Sequence, residues 1–108
     1  MEYIGNVIYD KAVLEGDIKL VIYGIGTMGR RVFAFLENTD RLDKLDCICD
    51  ADKELWGTLY KGVPVISPDE AVIEKRDCHF LTTGKYAKEQ MSFLQRNGIK
   101  KIHIFLEV

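Results

Sequence analysis

The sequence predicts an α/β fold, a parallel sheet of four strands with helices on both faces, and two patterns carry that expectation. Short apolar runs rich in β-branched residues recur at 18–23, 45–50, 78–84 and 101–108. Between them lie segments whose apolar residues fall at helical spacing. Strands that alternate with helices run parallel, because each crossover contains a helix. A third observation points to function: three glycines at fixed spacing stand where the first strand hands over to the first helix.

The chain of 108 residues suits one domain and is too short for a cofactor domain plus a separate catalytic domain. Its 47% hydrophobic content is enough for a core without disulfide or metal support. Residues 1–17 read as an N-terminal extension or short helix ending near Gly16, with Ile4, Val7, Ile8 and Leu14 at roughly helical spacing. Residues 18–108 read as the functional domain. "IKLVIY" (18–23) is continuously apolar, as expected of a strand covered on both faces.

Met28, Val32, Phe35 and Leu36 then form one apolar helical stripe that Asn38, Thr39 and Asp40 end. "LDCICD" (45–50) is the second strand. Val63–Ile66 is extended, since Val63 precedes a proline. Ser67, Pro68 and Glu70 make an N-cap, a proline at the first helical position and a capping box. "CHFLTTG" (78–84) is the third strand; a helix with Ala87, Met91 and Leu94 on one face follows and stops at Asn97-Gly98. "KIHIFLEV" closes the chain.

Charge and cysteines exclude several classes. Fifteen basic residues against seventeen acidic ones, scattered along the chain, give no stripe for phosphate neutralisation, so nucleic acid is not an expected partner. Cys47, Cys49 and Cys78 are odd in number and lack CxxC spacing, which favours reduced thiols and a cytoplasmic setting and leaves no metal site. No stretch approaches the roughly 18 apolar residues of a membrane span, and there is no signal-peptide core.

Gly24, Gly26 and Gly29 match G-x-G-x-x-G in full, with a strand before and an amphipathic helix after. Gly24 permits the turn, Gly26 lets backbone approach a pyrophosphate, and Gly29 lets helix and sheet pack closely. The helix start aims free N–H groups and its positive dipole end at an anion, and Thr27 can add a hydroxyl. Asp50, 21 residues after Gly29 at a strand end, suits ribose hydroxyls and would repel a 2′-phosphate. As a plain turn former beside Asp52 it would need no ligand. Thr82, Thr83, Gly84 and Lys85 end the third strand and face the same crevice, although Thr-Thr-Gly is also an ordinary helix entry. Arg30 and Arg31 are cations in the first turn of a helix, unfavourable to its dipole. His79 and His103 stand alone in their strands and are structural. A short-chain dehydrogenase would place Lys four residues after Tyr86; here that residue is Gln90.

Taken together, "VIYGIGTMGRRV", "CDADKELWGTLYKGVPVISPDEA" and "FLTTGKYAKEQMSFLQRNGIKKI" resemble a small Rossmann-like domain of bacterial surface-polysaccharide biosynthesis proteins, over residues 19–105. The resemblance implies a three-layer half-domain with a four-stranded parallel sheet in order 2-1-3-4. It also implies a module attached to nucleotide-sugar dehydratases or epimerases, acetyltransferases, glycosyltransferases or methyltransferases. Carried onto this chain, it assigns Gly24, Gly26, Thr27, Met28 and Gly29 to the phosphates, Asp50 to ribose or base, and Thr82, Thr83 and Gly84 to the pocket wall. The ligand expected is NAD or a nucleotide sugar such as a UDP-sugar, bound by a recognition or regulatory module without catalysis of its own. The chain stops after the fourth strand without a partner domain, which keeps two other readings open. One is a piece of a sugar-modifying enzyme whose catalytic part lies elsewhere. The other is an assembly domain with a vestigial site, forming a homodimer through a strand edge or Trp56.

Overall fold

The computed structural model describes residues 2–4, 7–9 and 15–107. Three strands form where apolar runs were expected: β3 (Leu20–Tyr23), β4 (Leu45–Cys49) and β7 (His79–Thr83). The last strand is β8 (Ile102–Glu107). Three α-helices connect them, α1 (Thr27–Asn38), α2 (Pro68–Glu74) and α3 (Ala87–Arg96). Four further strands are β1 (Glu2–Ile4), β2 (Val7–Tyr9), β5 (Leu59–Tyr60) and β6 (Val63–Ile66).

All eight strands join one sheet in the order β1-β2-β8-β7-β3-β4-β6-β5. The four strands anticipated from the sequence form its centre, β8-β7-β3-β4, and run parallel. The expectation of a four-stranded, wholly parallel sheet is nonetheless corrected. β6 adds a fifth parallel strand beside β4, with Ile48 opposite Val65, and β5 pairs with it antiparallel. The turn between them holds Lys61 and Gly62 at φ of 48° and 88°, the two left-handed residues that a tight hairpin demands.

A second correction concerns the N-terminus. Glu2–Ile4 and Val7–Tyr9 are antiparallel strands, and β2 pairs with β8, so this segment extends the sheet. Ile4, Val7 and Ile8 fit a helix by spacing, but short β-branched runs flanking Gly5-Asn6 also carry a hairpin signal, and that signal prevailed. Glu15 is helical just before Gly16. The remainder of that expected helix, 10–14, lies outside the described residues.

Alternation along the central strands sends side chains to two cores. Leu20, Ile22, Ile48 and Leu81 pack with Val32, Phe33, Phe35 and Leu36 of α1 on one face. On the other, Val21, Tyr23, Cys47, Cys49 and Phe80 pack with Ala71 and Val72 of α2 and Leu94 of α3. The domain therefore has three layers. β3 is flanked by β4 on one side and β7 on the other, so the chain reverses its direction of growth at β3. In open α/β sheets the crevice beyond the strand ends at such a switch point is where ligands bind.

Candidate functional site

A crevice of ≈ 720 Å³ opens at that point, lined by the glycine loop, the end of β4 and the entry to α3. Its floor is built by the end of β3. Tyr23 is buried, and burial, with Cys49, Asp69 and Asp50 adding, pushes its phenol up to about 12, so the hydroxyl keeps its proton at neutral pH. Gly24 turns the chain at φ 95° and donates its N–H to the Cys49 carbonyl at 2.7 Å. Ile25 points into the core, and its N–H donates to Oδ2 of Asp50 at 2.9 Å. Gly26 caps α1, whose first helical bond runs from the Arg30 N–H to the Gly26 carbonyl.

The three glycines differ in what requires them. A Cβ on Gly29 would stand 1.9 Å from the Gly24 carbonyl oxygen, so the helix can lie against the loop only without a side chain there. At Gly24 the left-handed φ is joined by crowding: a Cβ would be 3.0 Å from Nε2 of Gln90 and 3.4 Å from Oγ1 of Thr83. Gly26 has neither constraint. Its φ is −77°, and an added Cβ would meet nothing within 4 Å.

The start of α1 carries no side-chain cap and no acidic residue in its first turn. Arg30, the cation that seemed misplaced there, turns back: its Nε donates to the Ile25 carbonyl at 3.2 Å and its guanidinium lies 5.9 Å from the Tyr60 ring centre. It braces the loop.

Asp50 is engaged on every side. Oδ2 holds Ile25, Oδ1 accepts the Asp52 N–H at 2.8 Å, its own N–H donates to the Ile66 carbonyl, and its carbonyl accepts the Trp56 indole N–H at 2.6 Å. It ties the glycine loop to the 50–56 turn while still lining the crevice.

Of the other anticipated site residues, Thr27, Met28, Thr83 and Gly84 line the crevice, Met28 with a buried side chain. Thr82 does not: it is fully buried and its hydroxyl donates to the His103 carbonyl at 3.1 Å, a bond between strands. Thr83 faces the loop, its Oγ1 donating to the Tyr23 carbonyl at 3.0 Å and its N–H to Oε1 of Gln90 at 3.1 Å. Sequence reasoning missed Tyr23, Ala51, Tyr86, Glu89 and Gln90 as lining residues. The last three were findable: Tyr86, the residue before α3, and Glu89 and Gln90 in its first turn repeat at i, i+3 and i+4, a run that borders the Ala87, Met91 and Leu94 face.

Away from the crevice, His79 and His103 are not solitary. Nδ1 of His79 and Nε2 of His103 are 2.8 Å apart, with rings within 8° of parallel and centres 5.1 Å apart, edge to edge. Burial, with His103 and Lys101 adding, lowers the His79 pKa. Cys47 and Cys49 are buried, and burial pushes the Cys47 thiol up to about 12 and Cys49 well above its usual value, so neither is a thiolate. Among the described residues no group of three or more metal ligands assembles, and no helix is long and apolar enough to cross a membrane.

No family model and no curated protein matches this sequence. Solved structures do. The crystal structure of RSP, a Rex-family repressor, aligns with a TM-score of 0.61 over 82% of this chain and 45% of its own, at 22% identity. RSP in complex with beta-NADH gives 0.58 over 85% and 47%, at 21% identity. The chain thus spans less than half the length of RSP. The likeness establishes the Rossmann-like α/β fold; both structures are of the same repressor, and neither lends support to a place in polysaccharide biosynthesis.

Proposed function

We propose that this chain is a recognition module whose crevice binds NAD(H), with the diphosphate at the start of α1. Gly26 carries the reading. Nothing in the protein's own packing or backbone requires glycine there, yet the position fronts an uncapped helix start with no acid of its own. A bare helix start offers N–H donors and a positive dipole end to an anion, and a side chain at Gly26 would stand in its way. The NADH complex of a protein similar in fold lends support. So does the crevice's size, which falls within the range of small-molecule sites.

On this reading residues 18–108 are the binding domain. Gly24, Gly26, Thr27, Met28 and Gly29 surround the phosphates, and Thr83 and Gly84 close the far end. Asp50 accepts ribose hydroxyls through the lone pairs that its two amide contacts leave, and its charge disfavours a 2′-phosphate. The role is regulatory, with no catalytic residue assigned. A nucleotide sugar in place of NAD(H), within polysaccharide metabolism, rests on the sequence resemblance alone.

Thermal unfolding against NADH, NAD, UDP, a UDP-sugar, coenzyme A and S-adenosylmethionine tests the proposal. Ligand at 100 times its dissociation constant stabilises by about 2.7 kcal/mol. For a domain of this size the midpoint then rises by roughly ten degrees or more. A rise with NAD or NADH supports the reading, a rise with UDP-sugars alone moves it to the nucleotide sugar, and no rise with any ligand overturns it in favour of an assembly role. Asp50→Asn refines it. Because Asp50 also holds Ile25, inorganic pyrophosphate should weaken somewhat and the nucleotide by about tenfold more, the scale of one hydrogen bond to a charged group. Equal losses would mean that Asp50 acts only through the loop.

A further inference from the structure

Gln90 lines the crevice beside the glycine loop, and the proposed function leaves it without a role. Its Oε1 accepts the Thr83 N–H at 3.1 Å. That contact fixes the orientation of the amide, since only the oxygen can face an N–H donor. The NH2 group must lie on the opposite side. There, Nε2 sits 3.0 Å from the point a Cβ on Gly24 would occupy, against the start of the loop. Among the described residues no acceptor takes a hydrogen bond from Nε2. One end of the side chain is locked by the backbone and the other offers its donors to the crevice.

Placement says which part of a ligand those donors meet. In the sheet, β3 separates β4, whose end carries Asp50, from β7, beside which α3 carries Gln90. Asp50 and Gln90 therefore flank the loop from opposite sides, and a diphosphate at the loop lies between them. Glu89 shares the wall with Gln90. A carboxylate there opposes another phosphate and tolerates a neutral group with hydroxyl or carbonyl oxygens.

Resting on the nucleotide reading, we propose that Gln90 is a ligand-binding residue for the second half of a diphosphate-bridged nucleotide. Its Nε2 donates to an oxygen of the neutral group beyond the diphosphate, a ribose or another sugar. The crevice is thereby a site for a two-part ligand, and a mononucleotide fills only the Asp50 side.

Two variants separate the ends of the amide. Gln90→Glu keeps an oxygen for the Thr83 N–H, removes the donor and sets a charge beside the loop, whereas Gln90→Leu removes donor and acceptor without adding charge. Calorimetric titration with NADH and AMP, and with UDP-glucose and UMP, reads the result. In Gln90→Leu the two-part ligand should weaken by about fivefold, as for loss of one hydrogen bond between neutral groups, while the mononucleotide changes less than about twofold; the added charge of Gln90→Glu should weaken the two-part ligand further. Gln90→Leu should lower the unfolding midpoint in addition, because the Thr83 N–H loses its acceptor. Unchanged affinity for the two-part ligand in Gln90→Leu overturns the assignment, as does an equal loss for both ligand sizes in that variant. Mononucleotide binding as tight as that of NADH and UDP-glucose in the unaltered protein also overturns it, and leaves the nucleotide reading standing. If no nucleotide binds the unaltered protein, that reading falls and the role of Gln90 with it.

Discussion

Helices α1 and α2 start in opposite ways. α2 opens with Ser67, whose Oγ accepts the Glu70 N–H at 3.1 Å, then Pro68, Asp69 and Glu70. A side-chain cap, a proline at the first position and two acids in the first turn are all present, and the protein answers its own dipole. α1 opens with Gly26, no side-chain cap and no acid in its first turn; Arg30 of that turn is folded back onto the Ile25 carbonyl, and the Asp50 carboxylate is held by the Ile25 N–H. A helix of 12 residues buried through six of its own can fold without a cap. The difference shows where stability has been maximised and where it has been left incomplete, and the incomplete end faces the crevice.

Substitutions can break that contrast. The largest effect is expected at Gly29→Ala, where a Cβ 1.9 Å from a backbone oxygen forces α1 off the loop. Overpacking of this kind should cost about 3 kcal/mol or more, read as a lower midpoint in urea or thermal unfolding. Stability within 1 kcal/mol of the unaltered protein would show that the loop yields freely. Next comes Gly26→Asp, which gives α1 the acid and cap that α2 already has. Nucleotide affinity should fall by roughly a hundredfold, while the fold gains about 0.5 kcal/mol or more from the cap and the dipole. Retained affinity would remove the phosphate from the start of α1. The smallest effect is expected at Ser67→Ala, about 1 kcal/mol of stability with ligand affinity unchanged. A change in affinity there would mean that the two helix starts are coupled.

Legibility from sequence followed the locality of each cause. The glycine loop was readable because turn, close approach and helix packing are set within six residues, and the structure gives Gly24 and Gly29 those local reasons. The capping of α2 was readable for the same cause. Thr82 and Thr83 were not separable, because strand side chains alternate and a one-residue phase at the end of β7 decides which hydroxyl turns to His103 and which to the loop. The pairing of His79 with His103 depends on the register of β7 against β8, which no local pattern encodes. The added strands β1, β2 and β5 are two or three residues long, below the length at which periodicity separates strand from helix or loop, whereas β6 was legible as extended chain before Pro64 and only its pairing with β4 was not. Gln90 entered the sequence reading only as the wrong residue for a dehydrogenase, and its locked amide became visible once α3 was placed against Thr83.

The bond between Trp56 and Asp50 makes the protein its own optical gauge. The chain contains a single tryptophan beside five tyrosines, so emission excited at the red edge of indole absorption, where tyrosine does not absorb, comes from one chromophore. That indole is 38% exposed and donates to the carbonyl of the residue whose carboxylate holds the glycine loop. A change in the wetness or mobility of the 50–56 turn as the crevice fills therefore alters the colour or intensity of intrinsic fluorescence, with no label attached and no second tryptophan to dilute the signal.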